Sequence, residues 1–210
     1  MDASNKVYEL IGFPELTNRG VGFILLDRWG AILYCSALAQ SIIDEHPAID
    51  IDENTFVAYR TEDTIRLHSL IKRTIQARCE TNTKSIEAVG LNHPDADSPL
   101  AIVVTVIRSD GRLEDVDLSD AHSALLLHDY QRTLPISTDL LSQVYGLTPM
   151  EAQVAAAVGN GMDISEIAKS NNTTNHTVRS QLKAVFHKTG TRRQAELVRL
   201  LVTGPYHLGS

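Results

Sequence analysis

The 210-residue sequence predicts two domains of different class: an α+β domain with an antiparallel sheet and short helices, then an all-α domain of four helices. Three observations carry that reading. Five apolar, strand-like runs lie between residues 21 and 130, with helical spacing after the second. Capping signals and glycine stops then follow one another from residue 147 to residue 205. The charge divides at the same place. Residues 147–202 hold seven basic and four acidic side chains, a balance of +3, whereas residues 1–146 sum to −10 within a chain of −7. An acidic part joined to a basic part suggests two modules, the second facing a polyanion.

The bulk composition excludes several classes. With 43% hydrophobic and 21% charged residues the chain is ordinary for a globular protein rather than a disordered one. Its start, "MDASNKVYEL", has neither the basic nor the apolar region of a secretory signal. The longest apolar run, residues 100–107, is far too short to span a bilayer, so the expectation is a cytoplasmic protein with no membrane partner. Cys35 and Cys79 stand far apart without metal-ligand spacing, and read as structural thiols.

In chain order, residues 21–36 read as two β-runs around Asp27-Arg28-Trp29-Gly30, a hairpin signal. Residues 37–46 have helical spacing that Pro47 ends. Residues 61–80 form the clearest helix of this half, with Ile65, His68, Leu70, Ile71 and Ile75 near one face. Strand-like runs follow at 84–91, 99–107 and 122–130. The acidic, turn-rich stretches between them, "NHPDADSP" and "RSDGRLEDVDLSD", read as mobile loops. Residues 131–146 read as a linker in which Pro135 breaks any continuous helix.

Beyond Gly146 the punctuation is dense. Thr148 is an N-cap, Pro149 the first helical residue and Glu151 the answering member of a capping box. That helix runs to about Val158, burying Val154, Ala155 and Val158, and "GNG" ends it. Asp163 and Glu166 repeat the signal for a short helix with Ile164, Ile167 and Ala168 on its apolar face. Residues 171–174 are a polar turn, and Thr174 caps a third helix over 175–189 that Gly190 stops. "TRRQ" starts a fourth, with Thr191 as cap and Gln194 as its partner, closed by Gly204-Pro205.

The third helix has two chemically distinct sides. Val178, Leu182, Val185, Phe186 and Thr189 make a stripe that must face a core. His176, Arg179, Ser180, Lys183 and His187 lie opposite, and no acid occurs between Ile167 and Ala195. A short helix and a four-residue turn precede it, which is the layout of a helix-turn-helix able to enter the major groove. Arg179 can bond bidentately to a guanine edge, Gln181 can read adenine, and Lys183 suits a phosphate as a point charge.

The segment 147–203 resembles a LuxR-type (GerE-like) DNA-binding domain. The likeness rests on Leu147-Thr148-Pro149 with Glu151 and Val154, the Gly161 turn, Ile167-Ala168, Thr177-Val178, Lys188 before Gly190, and Ala195-Glu196-Leu197-Val198. The chain departs from the family pattern at Gln153, Gln181 and Thr189. The resemblance implies that Thr174, Thr177 and Lys188 contact phosphates. It also implies that Asn175, His176, Val178, Arg179 and Gln181 meet base edges or nearby phosphates, although the stripe position of Val178 argues for core packing. In that family the fourth helix commonly makes a dimer contact. Here Val198, Leu201 and Val202 share a face with Leu197 and Leu200 beside it, so a homodimer contact over Leu197, Val198, Leu201 and Val202 is expected.

The run "LLDRWGAILYCSALAQSII", with the order of elements around it, resembles a PAS domain covering residues 10–130, with Cys35-Ser36 near where the family usually has an asparagine. The resemblance implies a module that senses a signal, binds a partner or dimerises. No cofactor is expected beyond an unidentified small-molecule ligand. The flavin-type cysteine motif is missing, and haem would rest on His68 alone, a residue better read as a satisfied histidine. The expected function is a transcriptional regulator that binds double-stranded DNA, with helix 175–189 in the major groove and RNA polymerase as a further partner. The alternative is an interaction module whose basic helix docks on an acidic partner such as a transcription-machinery subunit. An enzyme is not expected, since GxSxG, HExxH and a glycine-rich phosphate loop are all missing from the sequence.

Overall fold

The computed structural model describes residues 20–78, 86–107, 112–113, 116–132 and 135–207. These form a mixed α+β structure with a five-stranded antiparallel sheet and seven helices. The chain divides into two compact units, one ending at Arg132 and the other beginning at Thr133. The expected reach of the first domain to residue 10, the second cysteine Cys79 and the ends of two runs at 79–80 and 84–85 lie outside the described residues.

In the first unit β1 (Val21–Leu26) turns through Asp27–Gly30 into β2 (Ile32–Cys35). The Asp27 carboxylate makes that turn by accepting from the Trp29 and Ala31 N–H groups, each at 2.8 Å. α1 (Ala37–Glu45) is capped by Ser36, whose Oγ accepts from Ala39 N–H at 3.2 Å and from Phe23 N–H at 3.0 Å. One hydroxyl thus starts the helix and ties it to β1. Gly22 is required there: a Cβ on it would sit 2.5 Å from the Ala39 Cα.

A hairpin follows that the sequence reading left unassigned. β3 (Ile49–Asp52) pairs with β4 (Thr55–Ala58) through Glu53 and Asn54, both at positive φ. Two left-handed central residues are what a tight hairpin of matching twist demands, and here no glycine announces them. α2 (Thr61–Ala77) buries Leu67, Leu70, Ile71 and Thr74. Ile65, expected on that face, is 65% exposed, because the buried stripe passes through Leu67 and Thr74, one position before His68 and Ile75.

β5 (Ile86–Leu91) and β6 (Leu100–Val106) complete the sheet with β9 (Ser123–His128) in the order β2-β1-β9-β6-β5. Between β6 and β9 the short strands β7 (Arg112–Leu113) and β8 (Val116–Asp117) pair with each other inside a stretch read as a loop. The central strands β1 and β9 are apolar on both faces. Ile24, Leu26, Leu125 and Leu127 join α1 and α2 in one core, while Phe23, Leu25 and Leu126 enter a second.

The second unit is helical among the described residues, with five helices rather than four. The segment read as a linker carries the extra one. α3 (Thr138–Tyr145) is capped by Ser137 and ended by Gly146 at φ 64°. Pro135 lies before the cap and interrupts nothing. Leu141 and Ile136 are buried with the side chains of α4 (Pro149–Gly159). The chain end returns to the same helix: Tyr206 O accepts from Ser137 N–H at 2.7 Å, and the Tyr206 and Tyr145 hydroxyls are bonded.

If α3 is integral to this unit, Leu141→Ala costs about 2–5 kcal/mol through lost burial and a residual cavity. Far-UV circular dichroism in a urea series is expected to show the helical transition moved to lower urea. The transition seen by Trp29, the chain's one tryptophan and a residue of the other unit, is expected to stay in place.

Candidate nucleic-acid interface

α5 (Ile164–Ser170) and α6 (Asn175–Thr189) are joined by the turn 171–174, in which Asn172 takes a left-handed φ of 50°. Both helices start where the capping chemistry puts them. Asp163 accepts from Ser165 and Glu166 N–H at 2.7 and 2.8 Å, and Glu166 returns a 2.7 Å bond to Asp163 N–H. Thr174 Oγ1 accepts from Thr177 N–H at 3.2 Å. Gly190, at φ 71°, ends α6.

Core packing sets which side of α6 faces out. Val178, Leu182 and Val185 are buried against α4, α5 and α7 (Gln194–Thr203), with Phe186 and Thr189 half-buried beside them. His176, Arg179, Ser180, Lys183 and His187 are all exposed. Of the six Lys and Arg side chains in the acid-free stretch, Lys169, Arg179, Lys183 and Arg192 form no ion pair among the described residues. Lys169, Arg179 and Lys183 are thus left without a carboxylate partner among the described residues, while Arg192 lies close enough to act on the Glu196 carboxylate. Arg192, at the approach to α7, is exposed as well and was not among the expected site residues.

Several expected site residues stand differently. Val178 is wholly buried and has no surface to offer a base. Gln181 is half-buried with its Oε1 inside and without a hydrogen-bond partner, so its amide is not held outward as a fork. Thr174 and Asn175 are exposed at the N-terminus of α6. Thr177 is half-buried, its hydroxyl 3.0 Å from that of Thr174. Lys188 is engaged elsewhere: its Nζ donates to Glu151 Oε2 at 2.6 Å and to Gly146 O at 3.0 Å.

That contact closes a chain of bonds. Glu151 Oε2 also accepts from Thr148 N–H at 2.8 Å, completing the capping box of α4. One carboxylate therefore starts α4 and holds the last turn of α6. The Lys188 ammonium, with the Thr148 N–H, keeps the Glu151 carboxyl below its ordinary value.

The expected dimer face is also different. Leu197 and Leu201 are wholly buried and hold α7 in the core, Val198 is half-buried, and Val202 alone is open, at 49% exposure. α7 begins at Gln194 with no side-chain cap. Thr191 instead shares a 2.9 Å bond with Thr189, and Glu196 accepts from Arg192 N–H and Arg193 Nε, both at 2.9 Å. In the first unit, His68 Nε2 bonds the Phe56 carbonyl at 2.8 Å, which commits the one histidine considered for haem. The Cys35 thiol is pushed up to about 11, by burial first and by the Asp44 charge second, so it stays protonated at neutral pH. No helix among the described residues is long and apolar enough to cross a membrane.

No protein-family model and no curated protein matches the chain. Among solved structures, phage VqmA in complex with DPO is 14% identical, with a TM-score of 0.35 over 99% of this chain and 94% of that one. The VqmA dimer of Vibrio cholerae, described as a LuxR-type receptor in the absence of its target DNA, is 14% identical with a TM-score of 0.34. That match covers 85% of this chain and 80% of the other. A third, VqmA bound to DPO, gives 14% and 0.34 over 90% and 88%. Likeness of this size fixes neither fold nor function.

The Glu151–Lys188 pair makes a prediction that needs no DNA. Lys188→Met is expected to destabilise the helical unit by about 1 kcal/mol at neutral pH. Because the folded-state pKa of Glu151 is lowered, its contribution is complete above the ordinary value of 4.5 and is lost as pH falls through the folded value. Urea midpoints of the two proteins measured from neutral pH down to about pH 3 are expected to converge below pH 4.5, and parallel curves would count against the pair.

Proposed function

We propose that the chain is a sequence-specific DNA-binding transcriptional regulator in which α5, the turn and α6 act as a helix-turn-helix of the LuxR type. α6 enters the major groove. The observation that carries this reading is the outward face of α6. It offers Arg179 and Lys183 without carboxylate partners, flanked by His176 and Ser180, on a helix whose other side is locked in a core. Such a face meets polyanionic DNA with no like charge to repel it.

Within this reading the roles divide by position. Arg179 lies one turn into α6, where side chains reach base edges, and its guanidinium fork matches guanine O6 and N7. Asn175 and His176 stand at the end of the helix that enters first. The Thr174 and Thr177 hydroxyls lie where free N–H groups and the helix dipole favour a phosphate. Lys183, one turn beyond Arg179, takes a phosphate. Val178 drops out, and Lys188 acts through the scaffold, holding α6 to α4. The first unit is the regulatory module. The five strands of the sheet, two before the helices and three after, with β9 in the middle between β1 and β6, support the PAS-like reading.

Selection of bound duplexes from a random pool tests the function directly. A defined consensus is expected, and a palindromic one reports two copies of the chain on the site; a pool that stays random sinks the proposal. Arg179→Lys keeps the charge but loses the fork. It is expected to remove about 1–3 kcal/mol of discrimination at one or two base pairs per half-site, leaving non-specific affinity nearly unchanged. Lys183→Ala is expected to weaken binding to every sequence alike and to flatten the slope of log affinity against log salt by about 0.9.

A further inference from the structure

The first unit has a hollow that its core does not fill. The space between α2 and the sheet is packed by Leu67, Leu70, Ile71 and the inner-face residues of β1, β6 and β9. Outside that core, a cavity of about 550 Å³ opens between the β1–β2 turn, the β3–β4 turn and the outer side of α2. That volume lies in the range of small-molecule sites.

Each wall has a defined chemistry. Phe56, Ile71 and Ile75 make the floor, with Phe56 and Ile71 themselves part of the core. The bond from His68 to the Phe56 carbonyl fixes α2 against β4 behind it. Gly30, at φ 87°, keeps the floor open: a Cβ there would point into it, 3.5 Å from Ile71 Cγ2 and 4.0 Å from Ile75 Cδ1. The rim is different. Trp29 is 73% exposed, its ring covered on one side by the Arg28 guanidinium at 3.8 Å, and Lys72 stands across from it on α2. Glu53 is the one acid of the lining, and no ion pair joins it to either cation.

The turn that carries Arg28 and Trp29 is held before any ligand arrives. The Asp27 carboxylate accepts from Trp29 and Ala31, and Asp27 O accepts from Gly30 N–H at 3.1 Å. Two cations with no ion pair among the described residues, at the mouth of an apolar floor, select an amphipathic anion. Its charged end replaces water at Arg28 and Lys72, and its body covers Ile71, Ile75 and the free edge of Trp29.

We propose that this hollow binds a small carboxylate with a compact apolar body, its carboxylate between Arg28 and Lys72. The site does not depend on what the second unit binds. Trp29, as the only tryptophan in the chain, reports on it directly.

The full chain is titrated with 3-phenylpropionate and with octanoate, and in parallel with their primary amides, which are neutral and nearly isosteric. Trp29 emission and calorimetry are the readouts. Both carboxylates are expected to give saturable binding below the millimolar range, with each amide about tenfold weaker. Lys72→Gln is expected to shrink that gap and Arg28→Gln/Lys72→Gln to abolish it, with the unfolding transition unchanged because both side chains are exposed. No saturable binding of either carboxylate overturns the proposal. So does equal affinity for acid and amide, or a gap that survives in the double variant.

Discussion

Burial of Val178, Leu182 and Val185 fixes the rotation of α6 about its axis, and the chemistry of the second unit's surface depends on that rotation. A helix turns 100° per residue, so a core that held the stripe one position away would carry Arg179 and Lys183 toward the protein and bring Val178 out. The stripe is held by hydrophobic burial, which is strong but has no direction of its own. Direction comes from the polar ends. Thr174 sets where α6 starts, Gly190 sets where it stops, and the Lys188 ammonium on Glu151 pins its last turn to the first turn of α4. The cation nearest the end of α6 is thus spent on the scaffold, which leaves Arg179 and Lys183 free for solvent.

The sequence made the starts and stops of helices legible because caps are local. Thr148 with Glu151, Asp163 with Glu166, and Gly190 each act within a few residues, and all formed where their spacing put them. α3 was missed although Ser137 caps it, because Pro135 was weighed as a helix breaker when it stands two residues before the cap. The β3–β4 hairpin was missed because Glu53 and Asn54 adopt left-handed backbone without the glycine that marks such turns.

Side-chain partners were less legible than elements. α7 has six apolar residues in ten, enough for two overlapping stripes, and only the tertiary contact decided that Leu197 and Leu201 face the core. Of the dimer face expected at Leu197, Val198, Leu201 and Val202, the two leucines are taken up by that core and only Val202 stays open. Lys188 read as a phosphate contact because its partner lies 37 residues away, beyond the reach of any periodicity. The basic face of α6 was readable for the opposite reason. A single helix carries all of it, so its spacing alone separates the inner side from the outer.

For an acidic chain to bind DNA as proposed, one further physical condition holds, which is that the attraction be local. Charges separated by more than about 8 Å at physiological ionic strength are largely screened. The balance of −10 in residues 1–146 therefore counts little at α6 unless its carboxylates come within that distance, whereas Arg179 and Lys183 act at contact. Excluding acids from Ile167 to Ala195 matters more than the sign of the whole protein. A single carboxylate on the outer face of α6 would lie within about one Debye length of the phosphates that its own part of the helix can reach, and no distant cation could offset it. The chain keeps Glu151 and Glu196 close by and engages each with a lysine or arginine. Glu151 and Glu196 are each neutralised by a cation of the same unit, Asp163 and Glu166 are held in the capping box of α5, and the unpaired cations between them set the field that an approaching polyanion meets.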